Sequence, residues 1–580
     1  MKKLIYLIAI LFLLPVLYSC ENFLDTQNFT QKNSQSFPKT VTDANQMLTG
    51  VYAVMNLIMD NDYNKSYFMT AELASDDRMG GGGANDKQWQ CMNHLLYTAR
   101  DTYKDNWAHH YLGVSRATAS IAALQGMDEG DLKNQKLGEA KVLRAYFYFE
   151  LVQLFGDIPL MKAAPETVSQ AMESPPQAPQ DSIFVQIGTD LWEAYSTMPS
   201  YKWNDSHVPS GTITKWAAAG MLARVWLFYT GFYGKSTLPI DGGEVTAAQV
   251  AAALKDCIDN SGCSLTPDYR SLWTYTNSVT KPDYPYAKDA PTWLLDGTNP
   301  EIIFALKHIG LNGWNGNQLR FTNQFALAFG LRAVGTDYTA IFPMGQGWGA
   351  GPVNSKLWDE WLADEPNDPR RKASIYNQAD ESTGYNWGAD SQVEETGLWQ
   401  KKIVAITAFG GTQTGGLFWC FMSSPAYEGY TGDNFQTGNA ADIFLIRYAD
   451  ILLMHSEITK TADGMNQVRA RAGLPAVAYS DDALRKERRH ELAFEGLRWG
   501  DIRRWHIAEQ VLGDMYNEPI RNAGVQTTMK PQGSAGDVVA RYKATNGFFM
   551  IPQNEIDLAG GALKQNAGWE TNAVFTSLAN

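Results

Sequence analysis

In this 580-residue sequence, the side chains best suited to carry out a reaction lie in Asp481–Trp505, DDALRKERRHELAFEGLRWGDIRRW. Glu487, Glu491 and Glu495 are spaced four residues apart, so on a helix they would share one face. Carboxylates grouped in this way can act as general acids and bases, as in enzymes that cleave glycosidic bonds. The spacing therefore makes an acid–base active site the first hypothesis to test.

The same segment carries arginines that argue against that hypothesis: Arg485, Arg488, Arg489 and Arg498. A neighbouring cation lowers the pKa of a carboxylate, which then holds no proton to donate near neutral pH. We interpret the segment as an ion-pair network that clamps two helices together. Its first helix is predicted to begin after Ser480, whose side chain can cap free backbone N–H groups, and to end at Gly496.

No other motif predicts catalysis. The GxSxG, HExxH and P-loop patterns are absent from the sequence. His109, His110 and His455 stand apart from residues at metal-binding spacing, and no CxxC pair occurs. The sequence therefore offers no catalytic motif, and we predict no cofactor. A structural calcium ion at Asp60–Asp62 or Asp76–Asp77 remains an alternative, because calcium prefers carboxylate oxygens, although the EF-hand spacing is missing.

Composition and charge narrow the class of ligand. The formal net charge of -14 argues against a nucleic-acid partner, because phosphate affinity comes mainly from lysine and arginine. A hydrophobic content of 44% and a charged content of 19% indicate a globular chain. The sequence has 18 Trp, 27 Tyr and 25 Phe, together with 50 Gly. Aromatic side chains in glycine-rich loops suit the recognition of flat, hydroxylated ligands.

The N-terminus reads as a targeting segment. Lys2 and Lys3 precede the apolar run Leu4–Leu17, which is too short to predict a membrane-spanning helix. A small residue followed by Cys20 then forms a bacterial lipoprotein box, so we predict a signal peptide over 1–19, cleavage before Cys20 and acylation of that residue. An ordinary signal peptide with a chance cysteine is the alternative. Residues 20–40 are predicted to form a polar tether.

The rest of the chain, 41–580, is predicted to be one mostly α-helical domain. Helical periodicity marks 41–260, where Ala140-x-x-Leu143-x-x-x-Phe147 is echoed by Ala219-x-x-Leu222-x-x-x-Trp226. A small residue one turn before a large one lets helices approach, which favours a tetratricopeptide-like helical repeat. Helices are predicted at about Thr42–Met59, Ser66–Ala74, Asp101–Leu124, Asn134–Phe155, Asp181–Thr197, Thr212–Tyr229 and Thr246–Asp259.

The segment 261–442 differs, because it is rich in Gly, Asn, Tyr and Trp and lacks helical periodicity. We predict loops with short strands at Glu301–Leu306 and Lys402–Ile406, laid over the helical scaffold. Helices are expected to resume over 443–580, starting with Ile443–Glu457. Cys257 and Cys263 are close enough in sequence for a disulfide in an exported protein, whereas Cys91 and Cys420 are expected to be free.

Several segments, in order, resemble the SusD/RagB family of outer-membrane nutrient-binding lipoproteins. They are the Cys20 box with ENFLD, the RYAD helix at Arg447–Asp450, NQVRARAGLP, ERRHELAFEGLRWGDIRRW and MIPQNEIDL. The resemblance spans nearly the whole chain. One departure is that the segment between Glu457 and Asn466 is shorter than in the family.

The resemblance implies a SusD-like fold of four tetratricopeptide-like units that support a variable binding face. It implies a surface-exposed protein, anchored by lipid in the cell outer membrane. Such a protein would capture oligo- or polysaccharide without catalysis and deliver it to a SusC-like TonB-dependent transporter. A peptide or another non-glycan nutrient is the alternative ligand within the same kind of transport system.

The resemblance also points to the loop after the second helix and to the variable insertion as the binding face. A loop tryptophan can stack on a sugar ring while neighbouring polar side chains bind its hydroxyls. Trp314 lies among glycines and amides in Asn312–Asn317, so its ring should be accessible. The predicted ligand-binding residues are Asp62, Asn64, Asp77, Arg78, Asp86, Trp89, Trp314, Arg371 and Tyr385.

Overall fold

The computed structural model describes residues 40–97, 101–163, 175–294, 297–309, 321–333, 338–409, 417–420, 436, 438–533 and 536–569. The α-helices in these ranges are α1 Val41–Asn56, α2 Tyr67–Leu73, α3 Lys87–Asn93, α4 Lys104–Leu124, α5 Asp131–Phe155, α6 Gln180–Thr197, α7 Lys215–Tyr233, α8 Ala247–Asn260, α9 Gln324–Ala328, α10 Ser355–Asp364, α11 Pro369–Ser374, α12 Gln378–Glu381, α13 Tyr448–Thr459, α14 Asp463–Arg471, α15 Asp481–Leu492, α16 Arg498–Arg504, α17 Ala508–Leu512, α18 Val538–Thr545 and α19 Gln553–Leu558.

The strands form two-stranded antiparallel ladders. They are β1 Ile158–Pro159 with β2 Gln177–Ala178, β3 Leu238–Ile240 with β4 Gly243–Val245, β5 Ile302–Leu306 with β10 Ile443–Arg447, β6 Ile375–Asn377 with β7 Leu398–Gln400, β8 Ile406–Phe409 with β9 Leu417–Cys420, and β11 Pro519–Asn522 with β12 Val525–Thr528. A π-helical turn, Leu57–Asn61, and a short 3-10 turn, Tyr63–Lys65, follow α1. None of the described helices combines the length and the hydrophobicity needed to cross a bilayer.

The helical scaffold is built from successive helices that pack side by side. Helix α5 packs against both α4 and α6, α7 packs against α6 and α8, and α8 packs against α13. Ala140, Leu143 and Phe147 are completely buried along α5, as their spacing predicts. A Cβ atom on Gly113 of α4 would lie 2.6 Å from the Phe147 ring, so the glycine permits the close approach. The predicted mostly α-helical repeat scaffold is confirmed.

The segment 261–442 contains short helices and strands around a second hydrophobic cluster. The predicted strand at Glu301–Leu306 is confirmed as β5, which pairs with β10 and so ties the segment to the scaffold. The prediction of a helix over Ile443–Glu457 is wrong in its first part. Residues 443–447 form strand β10, because their apolar side chains are needed opposite β5, and the helix begins at Tyr448. The second predicted strand was misplaced and begins at Ile406.

The glycine run Gly80–Gly83, which we call the glycine ledge, is held in place by backbone hydrogen bonds and is not the open loop that its composition suggests. Its backbone exchanges hydrogen bonds with a segment of the insertion, including Gly82 N to Gly349 O at 2.7 Å and Gly351 N to Gly80 O at 3.0 Å. Gly81 has φ of 68°, and a Cβ there would lie 2.3 Å from Pro352. Only glycine meets both constraints at this position.

Helix α15 begins as predicted, with Ser480 accepting a hydrogen bond from Ala483 N. It ends earlier than predicted, at Leu492, because Phe494 adopts a left-handed φ of 68°. Glu495 therefore lies beyond the helix. Its carboxylate still reaches the cluster around Glu491, since the turn directs it toward Arg447 at 2.7 Å.

We call the buried ion-pair network around this helix the clamp; it comprises Glu301, Asp368, Glu487, Glu491, Glu495, Arg370, Lys402, Arg447, Arg469 and Arg471. Glu491 alone contacts Arg370 at 2.9 Å and Arg447 at 2.8 Å, and it also pairs with Arg471. The cations thus come from other elements and not from the arginines of the same segment. Burial would raise the pKa of Glu491, but Arg471, Arg447 and Arg370 hold it well below its ordinary value.

The arginines of Asp481–Trp505, which we call the signature segment, form ion pairs with other parts of the scaffold. Arg488 pairs with Asp450 at 2.7 Å and with Asp501 at 3.2 Å. Arg489 and Arg498 both bind Asp76. The segment therefore joins the early helices, the insertion and the C-terminal helices, which is the structural role that the charge pattern predicts.

Candidate ligand-binding platform

Two half-buried aromatic side chains lie together where the turn after α1 meets the insertion, residues 261–442. The rings of Tyr63 and Trp348 have their centroids 5.8 Å apart and are inclined at 48°. Tyr63 belongs to the short 3-10 turn after α1, and Trp348 lies in the strand-like segment that pairs with the glycine ledge. We call Tyr63 and Trp348, with the adjacent Asn64, Asp86 and Arg332, the platform.

Arg332 fixes the polar edge of the platform. Its guanidinium donates to the backbone oxygen of Trp348 at 3.0 Å, to Asp86 Oδ2 at 3.0 Å and to Asp390 Oδ2 at 2.5 Å. The Arg332 side chain is 16% exposed, against 27% for Asp86 and 55% for Asp390. A hydroxylated ligand on the rings would therefore meet ordered carboxylates whose orientation is already set.

Gly83 and Trp89 support the platform from beneath. A Cβ on Gly83 would lie 2.7 Å from the Arg332 guanidinium, so the bare backbone leaves room for that group. The Trp89 ring lies against Gly82, and its indole N–H donates to Asn64 Oδ1 at 3.1 Å. Trp89 has 0% of its surface exposed. The interpretation of Trp89 as a stacking surface is contradicted by this burial; instead it holds Asn64 in place.

Asp77 and Arg78, two further predicted ligand residues, lie inside the protein. Arg489 binds Asp77 Oδ1 at 2.6 Å, and Asp77 is 2% exposed. Arg78 is completely buried, binds Glu72 at 2.6 Å and lies between the rings of Phe329 and Phe494. Both side chains are buried and paired with internal partners, so neither is placed to contact a surface ligand.

The other predicted residues are distributed over several places. Asp62 is 6% exposed and lies 3.9 Å from His109; burial raises its pKa to about 6. Arg371 is 6% exposed and covers the Trp358 ring at 4.2 Å. Tyr385 is half-buried and donates to Glu395 Oε1 at 2.8 Å. Asn64 and Asp86 alone belong to the platform, and Trp314 lies outside the described residues.

Sequence reasoning missed Tyr63, Arg332 and Trp348. The criterion that selected Trp314, a tryptophan flanked by glycines, also applies to Gly345-Gln346-Gly347-Trp348-Gly349 and would have found Trp348. No local signal marks Arg332, because its importance comes from partners at Asp86 and Asp390 that are distant in sequence.

The carboxylates proposed as calcium ligands have other partners. Asp60 accepts from His308 Nε2 at 2.8 Å, and both Asp76 and Asp77 are bound by Arg489. In the part of the chain that the structure describes, no three His, Cys, Asp or Glu side chains come together as a metal site. Within the described residues, neither pair is therefore joined by a third side chain of these types in a metal site. Cys257 and Cys263 are free and buried, without the disulfide that their spacing permits.

Two family models match the chain on either side of the middle segment. The model described as the SusD family matches residues 300–569, and the model described as "Starch-binding associating with outer membrane" matches residues 22–227. The SusD-like protein P2 of Formosa agariphila is 23% identical over 548 residues, which cover 90% of this chain and 94% of that protein. A SusD-like protein of Bacteroides ovatus is 24% identical over 492 residues, 79% of this chain and 76% of its own length.

Solved structures share the fold. A structure titled "Laminarin binding SusD-like protein" superposes with a TM-score of 0.66 at 24% identity, covering 92% of this chain and all of that one. Surface glycan-binding protein A from Bacteroides thetaiotaomicron, in complex with laminarihexaose, gives a TM-score of 0.64 at 19% identity, with 90% and 98% coverage. Because the two family models together match most of the sequence and the full-length relatives are SusD-like, this chain belongs to the SusD/RagB family.

Proposed function

We propose that this protein is a non-catalytic lipoprotein of the outer-membrane surface, which captures oligo- or polysaccharide and delivers it to a SusC-like TonB-dependent transporter. The observation that carries the ligand class is the Tyr63–Trp348 pair, two half-buried rings 5.8 Å apart with carboxylates beside them. A sugar differs from a peptide in its apolar ring faces and vicinal hydroxyls. The aromatic pair can pack on the ring faces, and the carboxylates can accept hydrogen bonds from the hydroxyls.

The comparisons support the same ligand class. The titles of the similar solved structures mention laminarin, laminarihexaose or surface glycan binding, and one matching family model is described by starch binding and outer-membrane association. Anchoring through Cys20 and delivery to a transporter rest on the family resemblance and on the lipoprotein box. Lipid anchoring and delivery to a transporter are therefore parts of the proposal, as is the class of ligand.

The absence of catalysis in this proposal rests on the state of the acidic clusters. Glu487, Glu491 and Glu495 are all engaged by buried cations, and the pKa of Glu491 is held well below its ordinary value. Asp76 is in the same state, because Arg498 and Arg489 outweigh its burial and lower its pKa to about 2. Neither Glu491 nor Asp76 would hold a transferable proton at neutral pH.

Isothermal titration of the soluble form lacking residues 1–20 tests the proposal. The titrants are laminarin, starch and oligosaccharides of both, with a mixed peptide digest as the alternative ligand. We expect saturable binding of at least one saccharide, weakened about tenfold by Trp348→Ala if the lost stacking contact is worth about 1.4 kcal/mol. Trp505→Ala, which removes a half-buried tryptophan in the clamp region, is the control.

Two outcomes would contradict the proposal. Binding of the peptides but of no saccharide would favour the non-glycan alternative. Release of new reducing ends during incubation with the polysaccharides would show an enzyme.

A further inference from the structure

A second pocket lies on a different part of the scaffold and shares no lining residue with the platform. It has a volume of about 270 Å³ and lies between the loop 203–212 and strand β5. Its lining includes Trp203, Asn204, Asp205, Trp216, Asn299 and Phe304. All of these side chains belong to the described residues, and no role has been assigned to any of them above.

The pocket has an apolar wall and a half-accessible aromatic ring. Trp216 and Phe304 are 1% and 3% exposed and form part of the main hydrophobic core, whereas Trp203 is only half-buried. The loop that carries Trp203 is held in place, because its backbone N–H donates to Ser261 O at 3.0 Å. A tryptophan ring presented on a fixed backbone beside a core wall is suited to hold a flat apolar surface.

The polar side of the pocket has one unsatisfied donor. Asn299 is 2% exposed; its Oδ1 accepts from Glu301 N at 3.0 Å, but its Nδ2 has no hydrogen-bond partner in the protein. Leaving a buried amide N–H unpaired is unfavourable, so such a group in a pocket wall favours an occupant that accepts a hydrogen bond.

Further polar groups stand at the mouth of the pocket. Asn204 follows Trp203 directly and is exposed, and Asp205 orders the turn by accepting from His207 N at 2.9 Å. An amide and a carboxylate beside an aromatic ring repeat the chemistry of Asn64, Asp86 and Trp348 on the platform. Vicinal hydroxyl groups can donate to the carboxylate and accept from the amide.

The space continues beyond this pocket. A larger groove of about 500 Å³ lies on the other side of the ridge Pro209–Thr212 and shares that ridge and Phe304–Lys307 with the pocket. Helix α1 and Tyr52 line its far side. Together the two spaces exceed the volume that one sugar ring needs, so an extended chain of rings fits better than a single one.

We propose that the Trp203 pocket is a second saccharide subsite, in which one pyranose ring packs on Trp203 and a ring oxygen or hydroxyl accepts from Asn299 Nδ2. This inference rests on the proposed function for its ligand class, but not on the platform as the place of binding. A polysaccharide long enough to engage both sites would gain avidity through effective concentration, whereas a short oligosaccharide would occupy them independently.

Fluorine NMR of the full chain labelled with 5-fluorotryptophan distinguishes the two sites. The resonance lost in Trp203→Phe assigns Trp203, and the resonance lost in Trp348→Phe assigns Trp348. Laminarihexaose, maltohexaose and cellohexaose are added separately, and the Trp505 resonance serves as the internal control. We expect at least one hexasaccharide to shift the Trp203 resonance saturably while the Trp505 resonance stays in place.

The outcomes separate this inference from the proposed function. A shift of Trp348 alone would overturn the second subsite and leave the platform intact. A shift of Trp203 alone would support the subsite and remove the platform as the binding site. If no hexasaccharide shifts either resonance, both fail, and the Asn299 amide is then satisfied by water only.

Affinity measurements provide the second arm. For a polysaccharide bound by the wild type, we expect Trp203→Ala and Asn204→Ala each to weaken apparent affinity about three- to tenfold. Because Asn204 is exposed, its substitution leaves folding intact and keeps the test valid if Trp203→Ala is unstable. Unchanged polysaccharide affinity in Asn204→Ala and in a folded Trp203→Ala would overturn the proposal.

Discussion

The clamp and the platform use the same kinds of side chain for opposite purposes. In the clamp, Glu491 and Arg370 have side chains that are 0% exposed, and Glu491 is bound by Arg370, Arg447 and Arg471. In the platform, Arg332 is 16% exposed and Asp390 is 55% exposed, beside two half-buried rings. Saturated buried charges fix a fold, whereas partly exposed and ordered charges remain available to a ligand.

This comparison changes how charge density should be interpreted. The acidic cluster Glu487, Glu491 and Glu495 is poorly suited to acid–base chemistry, because folding places buried cations from other elements against all three carboxylates. The platform is inconspicuous in the sequence, since its residues come from three distant segments around Tyr63, Arg332 and Trp348. The following substitutions test whether the two regions are in fact separable, with the largest expected effect first.

Glu491→Ala should destabilise the clamp most. It leaves Arg370, Arg447 and Arg471 without a shared carboxylate in a buried site, so we expect the free energy of unfolding to fall by about 3–5 kcal/mol. Chemical denaturation measures this, with Asp482→Ala as the control because its side chain is 79% exposed and pairs only with Lys486. Loss of saccharide binding at undiminished stability would show that the clamp takes part in recognition.

Arg332→Ala should weaken saccharide binding at the platform and change the stability of the fold little. The substitution frees Asp86, Asp390 and the Trp348 backbone from a common partner, so we expect saccharide affinity to fall about tenfold. Calorimetry measures the affinity, and Arg270→Ala, which removes the ion pairs of another insertion arginine with Asp268 and Asp289, is the control. An Arg332→Ala variant with wild-type affinity would remove the platform's polar edge from the proposal.

Trp89→Phe distinguishes support from contact. Phenylalanine keeps an aromatic ring against Gly82 but loses the hydrogen bond to Asn64, which is worth about 1 kcal/mol of stability. We expect a small drop in melting temperature and at most a few-fold loss of saccharide affinity. A loss as large as that of Trp348→Ala would restore the stacking role that the sequence predicts for Trp89.

Glu395→Gln tests the pH response of the insertion near Tyr385. Burial raises the pKa of Glu395 from 4.5 to about 7, although Tyr385 and the Gly388 N–H oppose the shift. A raised carboxyl pKa stabilises the fold at low pH, and that stability is lost as pH rises from about 4.5 through 7, by about 1–3 kcal/mol. Glu395→Gln should therefore flatten the stability profile between pH 5 and pH 8.

The clamp provides the contrast for that measurement. Because the pKa of Glu491 is held well below its ordinary value, the stability it contributes is lost only in strong acid. If the wild-type profile between pH 5 and pH 8 is already flat and Glu395→Gln leaves it unchanged, Glu395 is not protonated in the folded state.

The sequence by itself determined the helical scaffold and the role of the signature segment. The start of α15 followed from a local signal, the Ser480 cap, which acts within one turn. Core positions such as Ala140 and Phe147 followed from helical periodicity. The arginines within Asp481–Trp505 predict a structural role for the segment, although the cations bound to Glu491 are Arg370, Arg447 and Arg471 from other elements.

Only the tertiary structure decided which polar and aromatic residues face solvent. Trp89 and Trp348 both lie within a few residues of glycine runs in the sequence, yet Trp89 is buried against Gly82 whereas Trp348 is half-buried. Strand β10 formed where helical periodicity was expected, because β5 supplied backbone partners from more than a hundred residues away. Exposure and pairing depend on contacts between distant segments, and no local pattern carries that information.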